Sequence, residues 1–247
     1  MNRKGSQRVA ATIAVLLMCL WQPTGVVANP VDESICDAAA DRFLAAENYP
    51  EAIRLHGEFL RKNPTNALAH YHLGFAEGMV GDKTQELREY RCASALGLSR
   101  WDFFLNMGLA LLDGGNLESA TNELRLAVGL NPSRPEPHFN LGLVYERRDM
   151  LTEAEQEMRA ALRSDPTELD ARNMLGVIYA RQGKTAKAFS QWHAMLQDAP
   201  YYSAARKNLA ILEGKRPVSL VTGRRPIIPG RAAIRPKIAR LSAAMRL

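Results

Sequence analysis

The sequence has little of what enzymes and metalloproteins are commonly built from. It holds three cysteines and five histidines in 247 residues, and aromatic side chains make up 7%. No CxxC pair, HExxH, GxSxG or phosphate-binding loop occurs. The neighbouring His70 and His72 are two residues apart and point to different sides of a helix. We therefore expect no catalytic site, no bound metal and no cofactor.

Long hydrophobic runs are also scarce, and only the N-terminus carries one. Three basic residues precede an apolar run over 9–21, and small residues follow at 26–28. This is the plan of a secretory signal peptide, and the run is too short for a span of about 20 residues. We predict a signal peptide over 1–28 and a periplasmic or secreted mature protein without a transmembrane span. An uncleaved N-terminal anchor and a lipoprotein modified at Cys19 are the alternatives.

What the sequence has is a period of 34 residues. A Leu-Gly or Met-Gly pair recurs at 73–74, 107–108, 141–142 and 175–176. Seven residues after each glycine stands a turn residue: Gly81, Gly115, Asp149 and Gly183. Sixteen after it stands a large apolar residue: Tyr90, Leu124, Met158 and Trp192. A fixed period of this length indicates stacked helical repeats.

Each residue type that recurs with the 34-residue period has a physical reason for its position. The turn residue adopts a left-handed conformation between two antiparallel helices. The glycine after leucine removes a side chain where the two helices cross. Prolines at 64, 132, 166 and 200 end the second helix of a repeat. The repeat over 67–100 departs from the pattern, with Glu86 in place of a small residue, and we expect it to be the loosest.

This array resembles the tetratricopeptide repeat (TPR) family. The resemblance implies an all-α fold, a right-handed α-solenoid of stacked antiparallel helix pairs with a C-terminal capping helix. The array then covers 29–214, in units 33–66, 67–100, 101–134, 135–168 and 169–202, with the capping helix at 203–213. It also implies a non-enzymatic scaffold that binds protein or peptide partners.

In this family the first helix of each unit lines the inner surface of the array. That resemblance places an apolar strip there, the inner strip, which would accept a peptide or helix of a partner: Leu68, Tyr71, Phe75, Leu105, Leu109, Leu112, Phe139, Leu143 and Val177. The alternative is that these side chains pack between adjacent helices. The Asn, Lys and Arg set with which some members grip a C-terminal carboxylate is absent here. At the far end Asn173, Arg181 and Lys207 offer a polar surface for an acidic group, or a solvated face.

The repeat phase also bears on the two cysteines of the mature chain. It places Cys36 on the first helix of one unit and Cys92 on the second helix of the next. Such helices are not nearest neighbours, and a disulfide needs Cα atoms within about 7 Å. We therefore expect free or intermolecularly paired thiols, with an intramolecular disulfide as the alternative.

The tail over 215–247 lies outside the period and contains no acidic residue. Its four prolines disfavour regular structure, so we expect most of it to be disordered. It has nine basic residues: Lys215, Arg216, Arg224, Arg225, Arg231, Arg235, Lys237, Arg240 and Arg246. Nucleic acid is disfavoured as a partner because no aromatic side chain is present to stack on bases. An anionic envelope surface is the better expectation, whether lipid, acidic polymer or acidic protein.

Two functions follow from the sequence. The first is an envelope scaffold that binds a partner segment in its concave groove. The second is an adaptor tethered to an anionic envelope surface through the basic tail, with the array as a spacer.

Overall fold

The computed structural model describes residues 36–214, which form eleven α-helices and no strand. The predicted signal peptide and basic tail lie outside the described residues. The helices, numbered in chain order, are α1 (Ala38–Ala45), α2 (Tyr49–Lys62), α3 (Ala67–Val80), α4 (Lys83–Ala95), α5 (Trp101–Asp113), α6 (Leu117–Leu130), α7 (Pro135–Arg147), α8 (Leu151–Ser164), α9 (Leu169–Arg181), α10 (Thr185–Asp198) and α11 (Ser203–Leu212).

Short turns connect the helices of each pair, as the period predicts. Gly81, Gly115 and Gly183 have positive φ angles of 96°, 78° and 73°, and Asp149 has 60°. These backbones lie in the left-handed region, which glycine enters without steric cost and aspartate tolerates. The predicted left-handed turn is confirmed at all four positions.

Side-chain caps fix the starts of several helices. The Asn66 side chain accepts a hydrogen bond from the Ala69 backbone N–H at 2.8 Å, at the start of α3. The Asn116 side chain likewise accepts a hydrogen bond from the Ser119 backbone N–H, at the start of α6. Each such cap stabilises a helix end by about 1 kcal/mol. The second helices α2, α6, α8 and α10 end two residues before a proline.

The described chain divides into two compact units, at residues 36–110 and 111–214. In the first unit, α1 packs on α2, α2 on α3 and α3 on α4, and α1 also reaches α3. In the second unit, each helix from α6 to α11 packs on the next, and α9 also contacts α11. The predicted all-α fold of consecutive helix pairs is confirmed.

At three of the Leu-Gly pairs, the glycine lies against the large residue sixteen positions later. A Cβ atom added at Gly74 would come within 2.8 Å of Tyr90, and one at Gly142 within 2.8 Å of Met158. At Gly176 the distance to the Trp192 Nε1 atom would be 2.4 Å. Real Cβ atoms essentially never have contacts shorter than 3.0 Å. The period therefore encodes a direct steric fit between the two helices of a pair.

The repeat over 67–100 accommodates its unusual glutamate in the core. Glu86 is 4% exposed, and a Cβ atom at Gly78 would come within 2.3 Å of its carboxyl group. The absence of a side chain at Gly78 thus provides space for the Glu86 side chain, which stands where other repeats have a small residue.

Candidate functional site

The inner strip is not exposed in the structure. All nine of its side chains are at most 7% exposed. Phe139, Leu143 and Val177 belong to a cluster around Trp192, and Phe75 packs in a second cluster with Leu44. The burial favours the alternative, that these side chains pack between helices, and their use as a partner-binding surface stays a prediction. The phase located residues on the first helices correctly, but these side chains are part of the buried core.

Tyr71 shows how closely one of these residues is held. Its ring centroid lies 5.5 Å from that of Phe103 and 6.0 Å from that of Tyr90. Its hydroxyl accepts a hydrogen bond of 2.8 Å from the Asn106 amide. Burial raises the pKa of the Tyr71 hydroxyl well above its usual value. Tyr71 is a structural residue of the first unit.

An incompletely paired amide lies on α7, within the second unit. Asn140 is fully buried, and its Nδ2 donates to the Glu136 carbonyl at 2.8 Å. Its Oδ1 atom is buried and has no hydrogen-bond partner. An unpaired buried acceptor costs about 1–3 kcal/mol. Phe139 and Leu143, within one turn of Asn140 on α7, are apolar and buried.

The polar surface predicted at the far end is divided between core and solvent. Asn173 is fully buried, and its Oδ1 accepts from the Trp192 Nε1 and the Asn208 Nδ2, each at 3.1 Å. Arg181 pairs with Glu146 and, at 2.8 Å, with Asp149. Lys207 is exposed. Asn173 therefore ties the capping helix α11 to the last helix pair and does not face a ligand.

Two histidines at the same repeat position make the same pair of contacts. His70 Nδ1 lies 2.6 Å from the Glu89 carboxylate, and Nε2 lies 3.1 Å from the Pro64 carbonyl. His138 makes the same two contacts: its Nδ1 lies 2.6 Å from the Glu157 carboxylate, and its Nε2 lies 3.0 Å from the Pro132 carbonyl. The hydrogen bond to Glu157 raises the pKa of His138, against the effect of burial. These histidines join a first helix to its second helix and to the preceding turn.

A third group of polar side chains converges in the first unit. Cys36 lies just before α1, Asp41 on α1, His56 on α2 and His72 on α3. One ligand-type atom from each residue lies within 4.8 Å of all the others. Cys36, His56 and His72 are at most 6% exposed, and the Asp41 side chain is 20% exposed. We call these four residues the Cys-Asp-His-His cluster.

The contacts within the Cys-Asp-His-His cluster are uneven. His72 Nδ1 lies 2.7 Å from Asp41 Oδ1, a normal hydrogen bond. The His56 ring lies between two groups: Nδ1 is 3.6 Å from Cys36 Sγ, and Nε2 is 3.6 Å from Asp41 Oδ1. The second distance is too long for a hydrogen bond, and the buried Nε2 has no partner.

Burial controls the protonation of this cluster. It lowers the pKa of His56 to about 4, assisted by the nearby His72, so the ring is neutral at pH 7. Burial also raises the pKa of the Cys36 thiol. Burial opposes ionisation of Asp41, but the hydrogen bond and charge interaction with His72, with smaller contributions from His56 and Cys36, together outweigh it and lower the pKa of Asp41. Cys36 is a free thiol, so it forms no disulfide with Cys92.

The position of His56 within the repeat indicates this cluster, whereas the spacings between histidines in the sequence do not. His56 occupies the position at which the later repeats have Tyr90, Leu124, Met158 and Trp192. A histidine where a large apolar core residue is expected indicates a buried polar group that needs partners. The partners lie 20, 15 and 16 residues away along the chain, on three different segments, so no short motif marks them.

The comparisons with known proteins agree with this fold. A family model described as "TPR repeat" matches residues 108–149, and one described as "Tetratricopeptide repeat" matches 38–77 and 151–203. Together they cover more than half of the sequence. The chain belongs to the tetratricopeptide repeat family. A search of curated protein sequences gives no significant match.

Several solved TPR structures resemble this chain. YrrB, described as "a TPR protein with an unusual peptide-binding site", is 23% identical with a TM-score of 0.64, over 72% of this chain and 89% of YrrB. MamA from Desulfovibrio magneticus RS-1 is 21% identical with a TM-score of 0.61, over 66% of this chain and 95% of MamA. A TPR repeat-containing protein from Cytophaga hutchinsonii is 16% identical with a TM-score of 0.62, over 84% and 79%. At these identities the likeness concerns the fold.

Membership of the TPR family supports a protein–protein interaction scaffold. Among residues 36–214, no helix combines the length and apolar character that a membrane crossing requires. The predicted signal peptide and the nine basic residues of the tail lie outside the described residues, and the export of the protein stays a prediction.

Proposed function

We propose that this TPR protein is a non-enzymatic scaffold that binds an extended peptide segment of a partner protein at the first helices of its second unit. The observation that carries the proposal is the buried, unpaired Oδ1 atom of Asn140. A backbone N–H of a bound peptide would supply the missing donor, and Asn140 Nδ2 already uses the helix carbonyl of Glu136.

The surroundings of Asn140 match the requirements of peptide binding. A small number of polar groups among apolar side chains fixes the orientation of a ligand, and the apolar contacts supply most of the affinity. Phe139 and Leu143 lie within one turn of Asn140 on α7, and Val177 lies on the next first helix, α9. YrrB, whose fold this chain shares, has a peptide-binding site, which supports the same use of the fold here.

Binding at this place requires a local rearrangement. Asn140, Phe139 and Leu143 are all less than 10% exposed, so a peptide reaches them only when this surface opens. Binding that follows an opening step has an apparent affinity reduced by the fraction of open molecules. We therefore expect the association rate to be lower than for a preformed surface. The observed rate should level off with increasing peptide concentration, because the opening step limits it.

The test selects binders from a random peptide library on the full chain and measures their affinity by fluorescence anisotropy. Asn140→Ala should weaken binding by about 2- to 13-fold, the value of one hydrogen bond of about 0.5–1.5 kcal/mol. Asn122→Ala, an exposed residue of the same type on α6, is the matched control and should leave affinity unchanged. Equal affinities for both variants, or no selectable peptide, would contradict the proposal.

The charge of the tail favours a second candidate function. Residues 215–247 hold nine basic and no acidic residues, and each basic residue near an anionic surface contributes about 1 kcal/mol. We propose as the alternative that the tail tethers the exported protein to the anionic envelope. Binding of anionic vesicles that is lost at high salt, and lost in a chain truncated after Gly214, supports the tail. Peptide capture that persists under both conditions supports the second unit.

A further inference from the structure

We propose that the Cys-Asp-His-His cluster of the first unit is a zinc-binding site, with Cys36, Asp41, His56 and His72 as its four ligands. This inference is independent of peptide binding in the second unit. It begins from the convergence of three helices on one buried point. Cys36 and Asp41 come from the start of α1, His56 from the middle of α2 and His72 from the middle of α3.

The separations of the ligand atoms suit a tetrahedral ion. Zinc binds sulfur at about 2.3 Å and nitrogen or oxygen at about 2.0–2.2 Å, so tetrahedral ligands lie roughly 3.3–3.8 Å apart. The unpaired His56 Nε2 atom is 3.6 Å from Asp41 Oδ1, within this range, whereas Cys36 Sγ lies 3.6 Å from the other ring nitrogen, Nδ1. The remaining atoms are all within 4.8 Å. To admit the ion, the 2.7 Å contact between His72 and Asp41 must lengthen by roughly 0.6 Å, and any ligand pair that is further apart than the tetrahedral range must close.

One buried nitrogen of the cluster has no hydrogen-bond partner, which indicates that a ligand is missing from the site. The imidazole of His56 is fully buried, and its Nε2 atom has no hydrogen-bond partner. Buried polar atoms in native proteins are satisfied with few exceptions, so such an atom requires an explanation. In the other repeats this position holds a large apolar residue, which would be the less costly choice if the site were only structural. A metal ion would satisfy the unpaired nitrogen.

The donor set selects the kind of ion. A thiolate, two imidazoles and a carboxylate together suit zinc, whereas calcium and magnesium require oxygen ligands. A site with four protein ligands and no open position is typical of structural zinc. The ion would connect α1, α2 and α3, and so would fix the first helix pair to the next at the N-terminal end of the array.

The first experiment uses the reduced, metal-free full chain and adds Co²⁺ as a spectroscopic probe. We expect one ion per chain, visible absorption with the intensity of a tetrahedral site, and a near-ultraviolet charge-transfer band from the thiolate. Zn²⁺ should displace the cobalt and abolish both features. The absence of a cobalt spectrum from the unmodified chain would overturn the proposal without recourse to any variant.

The second experiment assigns the ligands. Cys36→Ser should remove the charge-transfer band, and His72→Gln should lower the zinc affinity by at least about tenfold, as changes in the surroundings of a metal commonly do. The exposed His193 provides the matched control, and His193→Gln should bind zinc as the unmodified chain does. Zinc should raise the Tm of the control but not that of His72→Gln. A charge-transfer band that persists in Cys36→Ser, or equal zinc affinity in all three variants, would contradict the assignment.

Discussion

Substitution of Gly176 by alanine tests whether the 34-residue period encodes a steric fit. The added Cβ atom would lie 2.4 Å from Trp192 Nε1 and 2.6 Å from Trp192 Cε2. Trp192 is fully buried, so its rigid ring has no empty space to move into. Relief of the overlap requires a shift of roughly 1 Å of α10 against α9 or of the indole within the core.

The magnitude follows from three contributions. Overpacking of a core costs about 1–3 kcal/mol. A displaced indole also weakens the hydrogen bond of 3.1 Å from Trp192 Nε1 to Asn173 Oδ1, worth about 0.5–1.5 kcal/mol. In the opposite direction, the higher helix propensity of alanine than of glycine stabilises the fold by about 1 kcal/mol. The net destabilisation is about 2 kcal/mol, which lowers the Tm by about 4–8 °C for a chain of this size.

The assay is thermal unfolding followed by circular dichroism, with Gly129→Ala as the matched control. Gly129 lies in helix α6 of the same unit, and an added Cβ atom would meet nothing within 4 Å. The same substitution should therefore leave the Tm unchanged or raise it slightly, through helix propensity alone. The reasoning is refuted if Gly176→Ala melts at or above the unmodified protein, or if both variants lose stability equally.

Two further predictions concern buried polar contacts in the second unit. The raised pKa of His138 means that its contact with Glu157 stabilises the fold below the unfolded pKa and is lost as pH rises through the folded pKa. Glu157→Gln should therefore reduce the Tm more at about pH 6 than at about pH 8.5, and an equal loss at both would contradict this assignment. Asn173→Ala removes the side-chain acceptor that Trp192 Nε1 and Asn208 Nδ2 share, while Trp192 Nε1 keeps its 3.3 Å contact with the backbone carbonyl of residue 173, and should cost about 1–3 kcal/mol in urea unfolding. Asn122→Ala should change that value by less than about 0.5 kcal/mol, and a similar loss in both variants would refute the role of Asn173.

The sequence predicts the fold well because each repeat position reports a local contact. Gly176 and Trp192 are sixteen residues apart and touch, and the same pair of positions recurs at Gly74 and Tyr90. Left-handed turns are equally local, since Gly81 needs only its own backbone conformation. Such contacts depend on residues within one helix pair, and so the pattern of one repeat determines them.

The exposure of a side chain is a different kind of property. The repeat phase assigns Phe139 and Val177 to the first helices, but whether they face solvent depends on everything that packs around those helices. The structure buries both. A repeat pattern describes which positions are apolar, and apolar positions are suited equally to a core and to a binding surface. The period alone therefore could not distinguish the two.

The Cys-Asp-His-His cluster shows both the limit of the period and its remaining use. Cys36, Asp41, His56 and His72 occupy four unrelated repeat positions, so no comparison of equivalent positions brings them together. Yet His56 stands where every later repeat has a large apolar residue, and that exception marks the place. Among residues 36–214, no helix pair precedes α1 and α2, and a metal ion that joins α1, α2 and α3 would supply stability of the kind that neighbouring repeats supply elsewhere. On this reasoning, removal of zinc should lower the protection of α1 amides from hydrogen exchange more than that of α9 amides.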